Sequence, residues 1–118
     1  MPILLHPVDL PHCTVVPLPV EIDISNLPSL YAETGRVISD REGRLDVLVL
    51  DLTRTEFIDS RGAALIPAVQ ERAREAGART RVAVGSDQVA LVLQLMRIRR
   101  DVPVYHDLAD ALMPAHHA

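Results

Sequence analysis

The run from Leu45 to Leu52 constrains this chain more than any other stretch, being apolar except for Asp46 and Asp51. Such a near-continuous run suits a central strand covered on both faces, as in an α/β sheet with helices packed against it. It leads through Thr53-Arg54-Thr55-Glu56 into Phe57-Ile58-Asp59-Ser60-Arg61-Gly62, and then into an alanine- and leucine-rich segment. There Leu65, Ala68, Val69, Ala73 and Ala76 share one helical stripe, and Gly77 is placed to end it. Pro67 falls inside that helix. It removes the bond to Ala63, so either the helix kinks there, or its first turn is irregular and the regular helix begins at Pro67.

Further elements alternate around this unit. Six of the nine prolines fall in the first 28 residues, so that portion reads as loop and edge strand. Thr14-Val15-Val16 is a strand whose end Pro17 and Pro19 mark, with Ile3-Leu4-Leu5 as a short partner ahead of it. Leu27, Leu30, Tyr31, Thr34, Val37 and Ile38 then fall on one helical face, capped by Ser25 or Asn26. Arg81-Val82-Ala83-Val84 is another strand. Val89, Val92, Leu93 and Met96 form a third helical stripe, which Leu91 and Leu95 widen. Val102–Tyr105 is a last strand, and Asp107 caps a short terminal helix. Strand–helix alternation of this kind predicts an α/β fold with a mostly parallel sheet and about four helices. The 118 residues suit one domain, with its core over about 12–112.

Composition excludes several functions. The net charge is −4, and the aromatics are only one phenylalanine and two tyrosines. Both features argue against nucleic-acid binding, which needs basic surface or a base-stacking platform. All twelve basic residues are arginine, so lysine-based catalysis is excluded. Cys13 is the only cysteine, which excludes an intrachain disulfide and a cysteine-cluster metal site. No glycine-rich phosphate loop is present, so no cofactor is expected. Met1–Leu5 is too short an apolar run for a signal peptide, and no run approaches a membrane span. The expectation is a cytoplasmic protein without direct membrane insertion. His116-His117 reads as a frayed tail, and Arg97, Arg99 and Arg100 as a solvated helix end.

Ser60 is the candidate switch. Serine at a strand–helix junction is a favoured N-cap, and the free N–H groups there can also seat a phosphate. From residue pattern alone it is either a cap and nothing more, or a hydroxyl whose modification adds about −1.5 to −2 charge at a sensitive point. Asp59 is either a base or a favourable charge at the helix start. Gly62 suits close approach of backbone or partner, and Arg61 is expected to be exposed. Asp23 with Asn26, and Ser86 with Asp87, each read as a turn and cap or as part of a partner surface.

Asp59-Ser60-Arg61-Gly62 after an apolar strand resembles the Asp-Ser-x-Gly signature of STAS domains, in particular bacterial anti-sigma factor antagonists. Glu21-Ile22-Asp23-Ile24-Ser25-Asn26 is similar to that family's lead into its first helix. Ser86-Asp87-Gln88-Val89, Val92-Leu93 and Val104-Tyr105-His106-Asp107-Leu108 resemble its third helix, last strand and closing helix. The likeness runs from about His12 to Leu112. It implies a mixed sheet with an N-terminal hairpin, and a protein that binds a serine-kinase anti-sigma factor when unphosphorylated, releasing a sigma factor. Phosphorylation of Ser60 by that partner would end binding, and a phosphatase would restore it. The resemblance implies a partner surface of Asp23, Asn26, Asp59, Ser60, Arg61, Gly62, Ala63, Ser86 and Asp87. Many relatives close the third helix with glycine, where this chain has Arg97-Ile98.

Two alternatives stand beside this expectation. STAS domains also serve as scaffolds of stress-signalling complexes and as cytoplasmic subunits of lipid transporters, without the switch. A serine hydrolase would use Ser60, Asp59 and a histidine, but the glycine-x-serine-x-glycine elbow is absent. The chain is therefore expected not to be an enzyme.

Overall fold

β-Branched and leucine side chains alternate across strands buried on both faces, and they build the sheet of the computed structural model, which describes residues 4–114. Strands β1 (Val8–Asp9), β2 (Thr14–Pro17), β4 (Val47–Leu52), β6 (Arg79–Val84) and β7 (Val104–Tyr105) lie in the order β1-β2-β4-β6-β7. Only the β1–β2 hairpin is antiparallel; the remaining pairings are parallel. A second, two-stranded sheet pairs β3 (Glu21–Ile22) with β5 (Phe57–Ile58) in parallel. The mixed, mostly parallel α/β architecture is as expected. The hairpin partner is not Ile3–Leu5: Ile3 lies outside the described residues, Leu4 and Leu5 form no strand, and Val8–Asp9 pairs with β2 instead.

Helices α1 (Leu27–Ser39), α3 (Leu65–Glu75) and α4 (Asp87–Leu95) cover one face. There Leu30, Ile38, Ile66, Val69, Val89 and Leu93 pack on Leu48, Leu50, Leu52, Val82 and Val84. The other face carries α5 (Leu108–Leu112), whose Ala111 closes over Cys13, Val15, Val49 and Ala83. Burial there pushes the Cys13 thiol pKa up. Arg81 anchors this helix: its Nη1 donates to the carbonyls of Ala111 at 3.0 Å and Met113 at 2.6 Å. Asp107 caps α5 as expected, accepting from the Asp110 N–H at 2.7 Å. His116 and His117 lie outside the described residues.

Some expected core positions face outward. Tyr31, Ala68, Leu91, Leu95 and Met96 are exposed, because the covering faces of α1, α3 and α4 are narrower than the apolar stripes of the sequence. Of the two forms expected after Ser60, the irregular start is the one found: α2 (Ser60–Ala63) and α3 are separate pieces, divided at Ala64. Pro67 causes no kink, and the regular helix begins before it, at Leu65. This puts the missing N–H in the first turn of α3, where it costs no intrahelical bond. Gly77, with φ +82°, ends α3 in a Schellman arrangement: Ala78 N–H reaches Ala73 O and Gly77 N–H reaches Arg74 O, both at 2.9 Å.

Arg97 occupies the equivalent position after α4, with φ 59° and its N–H on Gln94 O at 3.0 Å. It is the only positive-φ non-glycine residue among those described. An L side chain in the left-handed region costs about 1–2 kcal/mol, partly offset because a glycine there would have more unfolded-chain entropy to lose. Arg97→Gly is expected to raise unfolding stability by about 0.5–1 kcal/mol in a urea melt.

The hairpin is tied to the end of α1 by a forked ion pair, Arg41 Nε and Nη2 on Asp9 at 2.8 and 2.9 Å. Arg41, with help from the Thr14 hydroxyl, holds the Asp9 carboxyl down, from 3.8 to about 2. Because the folded pKa is depressed, the contribution to stability is complete above about 3.8 and lost as pH falls toward about 2. An NMR titration of Asp9 should place its midpoint near 2 in the native chain and return it toward 3.8 in Arg41→Met.

Candidate functional site

The parallel strands β2, β4 and β6 all end at one rim, and the chain past β2 and β4 crosses that rim side by side. Leu18 N–H donates to Asp51 O at 2.9 Å, the Thr55 hydroxyl to Pro19 O at 2.8 Å, and Glu56 N–H to Val20 O at 2.8 Å. These bonds set the β3–β5 register, Glu21 opposite Phe57 and Ile22 opposite Ile58. Asp23 and Asp59 therefore leave paired residues of adjacent strands.

The turn that follows rests directly on β3. A Cβ built on Gly62 would lie 2.3 Å from Ile22 O, so only glycine permits this approach. Asp59, not Ser60, caps α2: its Oδ1 accepts from Gly62 N–H at 2.6 Å, and Ser60 is the first helical residue. Both residue types cap well; here Asp59 has the extended backbone of a cap, φ −97° and ψ 179°. Ser60 is exposed, and its hydroxyl makes no hydrogen bond among the described residues. Arg61 is exposed as expected, whereas Gly62 and Ala63 are buried and support the turn from beneath.

The loop before α1 is closed on itself. Asp23 Oδ1 accepts from both the N–H and hydroxyl of Ser25, and these bonds hold the Asp23 pKa below its ordinary value. Asn26 stands at the N-cap position of α1 without a side-chain cap bond, and Ser25 does not take that place. Instead Asn26 Nδ2 donates to Glu21 O at 2.7 Å and its Oδ1 accepts from Asp23 N–H at 3.1 Å, so the side chain fastens the loop back to β3.

Ser86 caps α4, accepting from Val89 N–H at 3.4 Å, and Asp87 begins the helix. This segment follows β6 at the same rim. Gly85 lies so close to Thr53 that a Cβ would stand 2.4 Å from its carbonyl oxygen, and α4 packs against β5 and α2. The rim thus gathers Asp23, Asn26, Asp59, Ser60 and Arg61, with Ser86 and Asp87 on the next crossover.

Sequence reasoning missed two features of the rim. Thr55 is a buried tie whose partner is far away in the chain, and no local pattern announces it. Val20, Ile24 and Phe57 are exposed apolar side chains at the rim, 48%, 58% and 42% accessible. The signal for the last was available: Phe57 is the chain's only phenylalanine, and it sits at a strand end beside charged residues. Among the described residues no group of three or more His, Cys, Asp or Glu side chains is gathered as a metal site requires. No helix among them is long and apolar enough to cross a membrane.

Gly62→Ala should lower stability by about 1–3 kcal/mol through overpacking against β3. Asp59→Ala should cost about 1 kcal/mol through loss of the cap. Ser60→Ala should stay within about 0.5 kcal/mol of the native chain, since the hydroxyl holds nothing in place. Chemical denaturation of the three variants checks this order.

Comparison with known proteins places the chain as a whole. The family model described as "STAS domain" matches residues 7–111. No curated protein sequence matches at a significant level. Among solved structures, an anti-sigma factor antagonist from Mycobacterium paratuberculosis is similar at 27% identity and TM-score 0.80, with 92% of this chain and 89% of that one covered. SpoIIAA in its unphosphorylated form is similar at 18% identity and TM-score 0.72, with 92% of each chain covered. Its phosphorylated form, described as a Bacillus cell fate determinant, gives 17% and 0.64, covering 92% of this chain and 96% of that one. The murine Slc26a9 anion transporter shares the fold at 14% identity and TM-score 0.73; 89% of this chain covers 18% of the transporter.

Proposed function

The chain belongs to the STAS domain family, and from that premise we propose that it is an anti-sigma factor antagonist switched by phosphorylation of Ser60. Unphosphorylated, it binds a serine-kinase anti-sigma factor and so frees a sigma factor; phosphorylated, it lets go, and a phosphatase resets it. The observation that carries this reading is the presentation of Ser60. Its hydroxyl is exposed and unused by the fold, at the tip of a turn held rigidly by Asp59 and Gly62. A modifying enzyme can reach such a hydroxyl without unfolding the turn.

Charge supports the same reading. Asp59 and Asp23 already stand at this rim, so a phosphate at Ser60 adds about −1.5 to −2 to a negative locality. The exposed Val20, Ile24 and Phe57 supply apolar area of the kind that a docked protein covers. The similarity to the Mycobacterium paratuberculosis antagonist extends over nearly all of both chains. SpoIIAA, alike in fold, has been described in both unphosphorylated and phosphorylated forms. On this reading the chain itself catalyses nothing, and the partner supplies the chemistry.

Intact-mass measurement after incubation with ATP and candidate serine-kinase anti-sigma factors tests the proposal. The native chain should gain one phosphate and Ser60→Ala none. Ser60→Asp should bind the same kinase at least about a hundredfold more weakly than the native chain, since a like-charge mismatch at an interface costs several kcal/mol. Absence of phosphate with every candidate, from a folded protein, would point instead to a STAS scaffold or transporter subunit.

A further inference from the structure

Asp87, Leu91 and Leu95 recur every four residues along α4 and so form one row on the helix surface. The buried face of this helix is that of Val89 and Leu93, and the row points away from it. All three side chains are exposed, Leu91 at 52% and Leu95 at 71%. Leu95 is the most exposed large hydrophobic side chain among the described residues. A single apolar side chain on a surface is ordinary. Two adjoining ones, with charge of opposite sign at either end, make a pattern.

The row starts at an acid and runs out at bases. Asp87 stands in the first turn of α4, and just past Leu95 the chain turns through Arg97, Arg99 and Arg100, all exposed. None of these four side chains joins an ion pair among the described residues. This polarity suits the dipole of the helix itself, but the dipole gives no reason for two exposed leucines between the charges. Arg97, moreover, holds a left-handed conformation that glycine adopts without strain, and so keeps a cationic side chain in this turn.

A strip that is acidic at one end, apolar in the middle and basic at the other is complementary to itself turned end for end. A two-fold axis midway between Leu91 and Leu95 sets Leu91 of one copy on Leu95 of the other. Asp87 lies four residues before Leu91, and Arg99 lies four after Leu95. The same axis therefore brings Asp87 of each copy, about 9 Å from the axis, to the basic turn of the other. An anionic membrane fits the strip less well, because Asp87 and the net charge of −4 oppose it. We propose that α4 is a self-association surface, on which two copies pair antiparallel through Leu91 and Leu95 with Asp87 of each against Arg99 and Arg100 of the other. Two nine-residue helices bury less than the roughly 1,200 Å² of a stable complex, so the dimer is weak.

The test is sedimentation velocity of the full chain alone, so its outcome does not depend on whether a kinase modifies Ser60. Over protein concentrations of about 10 μM to 1 mM the chain should pass from monomer to dimer, with Kd inside that range. The double variant Leu91→Gln/Leu95→Gln should weaken the dimer at least about tenfold, while circular dichroism shows the fold intact, since both side chains are exposed and glutamine suits a helix. Asp87→Arg alone, and Arg99→Glu/Arg100→Glu alone, each set like charges together at both ends and should dimerise several-fold more weakly. An equimolar mixture of these two variants restores opposite charges at both ends and should dimerise about as well as the native chain. A monomer at every concentration overturns the proposal; its co-sedimentation with phosphatidylglycerol vesicles would then give the strip to a lipid surface. A dimer that survives the leucine variant, or a mixture that associates no better than its separate components, overturns it equally.

Discussion

The bare Cα of Gly62 against the carbonyl of Ile22 is the contact on which the rim depends. β3 and β5 are two residues each, and paired segments that short do not hold together alone. What fixes them is the turn laid across them, together with the ties from Thr55 to Pro19 and from Glu56 to Val20. A side chain at position 62 would lift that turn and part the loop of Asp23–Asn26 from the loop of Asp59–Arg61. Gly85 against Thr53 repeats the device one strand further along. Two glycines thus let three loops from three crossovers crowd into one surface.

Behind the rim the sheet is unequally dressed. Three helices of nine to thirteen residues bury one face, while a single five-residue helix covers the other. Such a short helix has little stability of its own. Arg81 compensates by reaching from the sheet to its final carbonyls, which otherwise lack partners. The frame is regular across its middle strands, and the candidate site lies at the rim where β2, β4 and β6 end.

Much of this was legible in the sequence because it is periodic. The apolar run before Leu52, the buried positions of α1, α3 and α4, the stop at Gly77 and the cap at Asp107 follow from spacing and from residue type. What was not legible is of three kinds. β3 and β5 are too short to leave a pattern, although the segments containing them, Glu21–Asn26 and Phe57–Gly62, were singled out. Choices between equivalent residues also fail: Asp59 and Ser60 both cap helices, and only the backbone angles at Asp59 decide. Finally, long-range polar ties such as Arg41–Asp9, Arg81–Ala111 and Thr55–Pro19 have no local signature. The exposure of Leu91 and Leu95 belongs with these, because a stripe shows that a side chain is apolar and does not show whether anything covers it.

The exchange of caps also bears on how a charge at Ser60 can act. Were the serine hydroxyl the cap, modifying it would remove a structural bond, and the switch would work by loosening α2. With Asp59 as the cap, the hydroxyl is free and the turn keeps its bonds whatever Ser60 carries. In the isolated chain a phosphate beside solvated carboxylates costs only about 1 kcal/mol per close charge pair, too little to undo a turn anchored on Gly62. At a docked surface, with water expelled, the same charge costs several kcal/mol. On the proposed reading, the effect of the added charge is thus exerted in the bound state, not on the fold of the isolated chain.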